Sequence, residues 1–192
     1  MSRPRLLELS SRILELKSGR PADCTELLRA ELQAGGSHEE RVGIYGLLAI
    51  ELQEHGRFEE AEAVIRERIA LEPEIPDAWI SLSLHFLYCT RELDKALSAI
   101  NIAIERAVVD RNFFRHAHLE RIRIALAMKA YPTVEESLIQ LINYVPPRGT
   151  QDSRLESEFL PRIPRGAVDE KVIERYKEKV QAQGPGLAIP QA

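Results

Sequence analysis

His85 and Cys89 stand four residues apart in "DAWISLSLHFLYC", residues 77–89, a spacing that on one helix could offer an imidazole and a thiolate to the same metal ion. No third and fourth ligand follow at a matching interval, and cysteine is among the most buried residue types, so core packing is the expected role of both. His116 and His118, two apart, diverge around a helix, which predicts surface or capping roles. His38 follows Ser37, and Ser37 reads as a helix N-cap with Glu40 closing a capping box. The carboxylates of "RFEEAEAVIRERIALE", residues 57–72, are numerous enough for acid–base work, yet Glu62 and Arg66 have the spacing of an ion pair along one solvated face. No phosphate-binding glycine loop, nucleophile elbow or paired-cysteine motif occurs. A catalytic residue, a cofactor and a metal are therefore not expected, and the chain reads as non-enzymatic.

Composition narrows the partners. The 192 residues are 44% hydrophobic and 29% charged, enough to bury a core in one domain. A formal net charge of −4 leaves no basic footprint for nucleic acid or an anionic membrane, so neither is an expected partner. Cys24 and Cys89 are too few for a disulfide framework and read as free thiols in a reducing, cytoplasmic setting. Glu8, Arg12, Glu15 and Lys17 interrupt what would be the apolar core of a signal peptide, so no export signal is expected. No stretch reaches the ~20 apolar residues that a membrane span requires.

The elements that must carry these residues are helices. Apolar residues recur at intervals of three and four, with no alternating strand, and predict helices at 4–17, 22–34, 39–54, 58–71, 77–90, 93–108, 112–129, 133–144 and 168–182. The fold class is all-α. Gly56 suits a left-handed helix cap, while Pro73 and Pro76 stop a helix. Internal similarity sets Tyr45 over Trp79, Leu48 over Leu82 and Leu52 over Phe86 at an interval of 34, and Ala61 over Ala96 at 35, with one extra residue expected in the turn. A looser third copy has Arg121, Ile124, Ala125 and Met128 in its first helix and Val134, Ser137 and Leu141 in its second, after an insertion around "VVDRNFF".

Residues 42–75 resemble a tetratricopeptide repeat: Tyr45, Leu48 and Ala49 match the family's first helix, Gly56 and Phe58 its turn, Ala61 the small residue opening its second helix, and Leu71 and Pro73 its close. Residues 77–109 keep Trp79, Leu82, Ser83, Phe86, Ala96 and Ala103 without the turn glycine, and residues 4–36 and 112–147 are degenerate copies. The resemblance implies an α-solenoid of helix-turn-helix pairs over residues 1–147. An irregular linker, a capping helix at 168–182 and a tail then make up residues 148–192 of the same domain. Stacked pairs require a middle first helix that is apolar nearly all round, which is what residues 77–89 supply. Arg68 stands where the family has a small residue, which predicts a shifted helix pair.

In such a solenoid the first helices line a concave groove. The alignment turns Gly43, Gly46, Leu47 and Ile50 inward from one pair, Ile80, Ser81, Leu84 and Tyr88 from the next, and Ile122, Arg123 and Leu126 from the third. The cations and asparagine with which chaperone-binding members hold a terminal carboxylate are missing except for Arg123, which argues against that ligand. A groove of this character is expected to bind an apolar peptide or amphipathic helix of another protein, with Arg123 meeting a carboxylate or carbonyl. The segment "RLESEFLPRIPRGAVDEKVIERYKEKV", with Leu155, Phe159, Leu160 and Ile163 followed by an amphipathic helix, is expected to cap the last pair, with the groove as its alternative place. "YVPPRGT" reads as a connector and "GPGLAIPQA" as a flexible tail. Two other classes stay open: an acidic inhibitor of immunity type that neutralises a specific enzyme or toxin, and a self-assembling unit that forms a homodimer through its first pair.

Overall fold

A computed structural model describes residues 3–17, 22–108, 113–145 and 157–182. Among these the regular structure is entirely helical: α1 (Arg3–Lys17), α2 (Ala22–Gln33), α3 (His38–Glu54), α4 (Phe58–Leu71), α5 (Pro76–Leu84), α6 (Leu93–Ala107), α7 (Phe114–Met128), α8 (Tyr131–Asn143) and α9 (Glu170–Ala182). A π-helical stretch, His85–Thr90, continues α5, and Leu160–Arg162 form a short 3-10 turn. None of the described helices is long and apolar enough to cross a membrane.

Local chemistry sets the helix ends. The Glu40 amide donates to Ser37 Oγ at 3.2 Å and the Ser37 amide donates to Glu40 Oε2 at 2.8 Å, the reciprocal pair of a capping box. Pro76 occupies the first turn of α5, where its missing amide hydrogen would have had no helical partner. The turns that close α3, the π stretch and α7 each contain one left-handed residue: Gly56 at φ 70°, Arg91 at φ 61° and Lys129 at φ 58°. The same backbone turn therefore recurs where the second and third copies lack glycine, at a steric cost of roughly 1–2 kcal/mol for each substituted position.

The extra residue of the second copy lies in the helix, not in the turn. Residues 55–57 separate α3 from α4, whereas only residues 91–92 separate the π stretch from α6. The longer helix absorbs the insertion by widening to i→i+5 bonding, the usual way an α-helix accommodates one added residue.

Each helix packs on the next in sequence from α1 to α9, and α1 also rests on α3 and α5 on α7. Two apolar clusters result. One joins Leu9 and Ile13 of α1 to Leu28, Leu48, Leu52, Ile65, Leu82, Phe86 and Ile100. The other joins Ile122 and Leu126 of α7 and Leu138 of α8 to Phe159, Ile163, Val172 and Tyr176. Trp79 is half-buried, and its indole N–H donates to the Pro73 carbonyl at 2.9 Å. Cys24 is fully buried between α1 and α2, its thiol 3.7 Å from the Ile13 carbonyl, while Cys89 is half-buried; both are free thiols.

The C-terminal helix lies along α8. The Asp169 amide donates to Glu135 Oε2 near the start of α8 at 2.9 Å, and Lys179 Nζ donates to the Ile142 and Tyr144 carbonyls past its end at 2.5 and 2.6 Å. Start meets start and end meets end, so α9 runs parallel to α8. A hairpin turn would give antiparallel neighbours, so α9 does not extend the series of helical hairpins. The expected insertion at "VVDRNFF", the "YVPPRGT" connector, Leu155 and the tail lie wholly or largely outside the described residues.

Candidate functional site

The residues expected to form a groove divide by exposure. Ile50 on α3 and Tyr88 on the π stretch are 51% and 54% exposed, and Leu47 and Leu84 are half-buried. Ser81 is half-buried, with its hydroxyl donated to the Asp77 carbonyl at 2.9 Å. Gln53 Nε2 and His85 Nδ1 lie 3.0 Å apart, fastening the last turn of α3 to the start of the π stretch. Ile50, one turn before Gln53, and Leu84, adjacent to His85, therefore sit on neighbouring helices.

Three of the expected lining residues do not face a partner. Ile80 is buried to 1% in the first cluster, and Ile122 at 0% and Leu126 at 8% belong to the second. The physical reason is packing on more than one side: α5 is flanked by α4, α6 and α7, and α7 shares its cluster with the chain from 159 onward. Arg123 is likewise not a free cation, because its guanidinium donates to Glu120 of its own helix. Gly43 lies beneath α1, where an added Cβ would stand 2.8 Å from Leu6 Cδ1. Access at that end is thus closed by the first helix.

An ionic row borders the apolar residues, and sequence spacing did not reveal it. Arg68 donates to Asp77 at the start of the next helix, and its guanidinium lies over Gly46, where an added Cβ would stand in ordinary van der Waals contact, 3.8 Å from Nη1. The unusual arginine is accommodated by a carboxylate nine residues on. Glu120, 3% exposed, takes Arg123 and lies 3.5 Å from His116. The bond to Glu120 raises the His116 pKa. His118 is not a surface residue: it is 2% exposed against Phe114, ring centroids 4.5 Å apart, and desolvation lowers its pKa to about 4.

His85 is fully buried between the edges of Phe58 and Phe86, at centroid distances of 6.3 and 5.7 Å, and its pKa is lowered mainly by burial. Burial likewise pushes the Cys89 thiol up. The π winding between them alters the helical spacing on which a shared metal would depend. Among the described residues no group of three His, Cys, Asp or Glu side chains is placed to hold a metal. The surface at Leu47, Ile50, Leu84 and Tyr88 can bury apolar side chains, with the half-buried Ser81 as polar neighbour. No protein-family model and no curated protein matches the chain.

Proposed function

We propose that the helix pairs stack as an α-solenoid of tetratricopeptide type and that the chain is a non-enzymatic interaction module, binding an apolar segment of another protein across Leu47, Ile50, Leu84 and Tyr88. The observation that carries this reading is the pairing of two more-than-half-exposed large side chains, Ile50 and Tyr88, with half-buried leucines on consecutive first helices. The recurrence of a left-handed residue at Gly56, Arg91 and Lys129 supports the repeat assignment. Each large anchor buried there would contribute ~1.5–3 kcal/mol before ordering losses, so two or three suffice for micromolar affinity. Affinity capture with wild type and Leu84→Glu, each verified as folded by circular dichroism, tests the reading. A partner retained by wild type and lost by the variant is the expected result; indifference to the substitution refutes the groove.

A second reading, self-association through the first pair, draws on Leu7 and Leu14, which stand 68% and 70% exposed two turns apart on α1. Sedimentation over a concentration series separates the two, because only self-association gives a homodimer from the purified chain.

A further inference from the structure

A cavity of about 300 Å³ lies between α4, α5 and α6, and neither Leu84 nor Tyr88 lines it. Its floor is apolar: Leu82 and Phe86 are each 2% exposed, and Ala99 is buried beside them. Trp79, the only tryptophan in the sequence, forms part of the wall. Small-ligand sites have this make-up, an apolar lining with a few polar groups at the edge, and the volume is at their lower limit.

The polar groups at the edge are Arg66 from α4 and Asp94, Lys95 and Ser98 from α6. Their donors are largely spent. The Trp79 indole N–H goes to the Pro73 carbonyl at 2.9 Å, and Ser98 donates its hydroxyl to the Asp94 carbonyl at 2.9 Å. Arg66 is paired with Glu62 at 2.8 Å, and Lys95 is paired with Glu92. Lys95 also lies over the Phe86 ring, 5.4 Å from its centroid, so one aromatic face of the floor already holds a cation. The acceptors are left over. The exposed Asp94 carboxylate has no ion pair among the described residues, and Ser98 Oγ keeps its lone pairs. Around the rim the carboxylates of Glu62, Glu92 and Asp94 exceed the cations Arg66 and Lys95 by one.

We propose that this cavity binds a monocation carried on an apolar stem. An ammonium or guanidinium brings hydrogen-bond donors and no acceptor, which matches the unspent acceptors of Asp94 and Ser98. The stem lies on Leu82 and on the ring of Trp79, whose negative π face favours a neighbouring positive charge. An anionic ligand would have to draw Arg66 or Lys95 away from its glutamate and would stand beside Asp94. Two sources carry the favoured chemistry: a free arylalkyl amine, and a lysine or arginine side chain of another protein. The site is separate from the proposed groove and does not rest on it.

Trp79 emission reports on the cavity directly, so the test is a fluorescence titration of the full-length protein. The probes are phenethylammonium and the capped amides of N-acetyl-lysine and N-acetyl-arginine, with 2-phenylethanol and 3-phenylpropionate as neutral and anionic counterparts. A cationic probe should give a saturable change in the millimolar range expected of so small a ligand. Asp94→Asn should weaken it by about fivefold or more, and the neutral counterpart should bind correspondingly less well than phenethylammonium. Ser98→Leu, at an exposed rim position, should block it, and Tyr88→Glu should leave it unchanged. Tighter binding of phenethylammonium than of the capped amides assigns the site to a free amine; the reverse assigns it to a side chain. Equal or tighter binding of 3-phenylpropionate or 2-phenylethanol would overturn the proposal, as would indifference to Asp94→Asn in a variant shown by circular dichroism to be folded. So would loss of binding in Tyr88→Glu, which would put the probe in the groove, or the lack of a saturable change with every cationic probe.

Discussion

At the scale of single residues the buried polar groups set the energetics. His118 is neutral in the fold because desolvation holds its pKa near about 4, against a value of 6.5 for the free side chain. Between those limits the unfolded chain takes up a proton that the folded chain refuses, so acid erodes stability by up to about 3 kcal/mol as pH falls from 6.5 to 4. His85, lowered by burial, acts in the same sense. His116 acts oppositely: its raised pKa contributes stability below 6.5 that is lost as pH rises through the folded value. Urea unfolding at several pH values should show the acid loss in wild type and a flatter profile in His118→Leu; equal slopes would contradict this assignment. Ser83, fully buried, donates its hydroxyl to the Ala96 carbonyl at 2.8 Å across α5 and α6. Ser83→Ala should cost about 1 kcal/mol in the same assay. Spacing alone could not find the environment of His118, because two apart on a helix says only that His116 and His118 diverge. Each ring's neighbour is four residues away on α7, Glu120 for His116 and Phe114 for His118; what spacing does not show is the burial of His118 beside a Phe114 that stacks on Tyr144.

At the scale of elements, helix positions followed directly from apolar period and punctuation, and the ends at Ser37, Gly56 and Pro76 follow from capping chemistry visible in the sequence. The π stretch did not follow, because an insertion of one residue looks the same whether turn or helix absorbs it. Arg91, held at φ 61° beyond that stretch, should gain from glycine: Arg91→Gly is expected to raise stability by up to about 1 kcal/mol, measured as a higher denaturant midpoint. Gly43 acts in the opposite direction. Its missing Cβ lets Leu6 close on α3, and Gly43→Ile should lift α1, seen as faster amide exchange over residues 3–17 with α5 to α8 unchanged. At the other end Lys179 holds two carbonyls at the end of α8, so Lys179→Met should speed exchange across α9 before it affects α3 or α5.

At the scale of the whole molecule, the helices form two apolar clusters whose ends are finished differently: α9 lies parallel to α8 and closes one end, while α1 carries Leu7 and Leu14 outward at the other. The expected groove was only partly readable. The third copy is out of register with the expected alignment: the Ala130 amide donates to the Ala125 carbonyl as the Arg57 amide donates to that of Leu52, so Arg123, and not Leu126, stands where Ile50 stands on α3. Leu47, Ile50, Ser81, Leu84 and Tyr88 remain accessible in some degree, whereas Ile80, Ile122 and Leu126 are covered and Arg123 is engaged by Glu120. The most direct measurement is photo-crosslinking in native lysate from a benzoylphenylalanine at position 88, with the same group at exposed position 63 on α4 as control. A discrete adduct from position 88, absent from position 63 and suppressed by Leu84→Glu, is the predicted result. An adduct from position 63 alone, or none from position 88, would contradict the claim that this apolar surface is where the protein engages its partner.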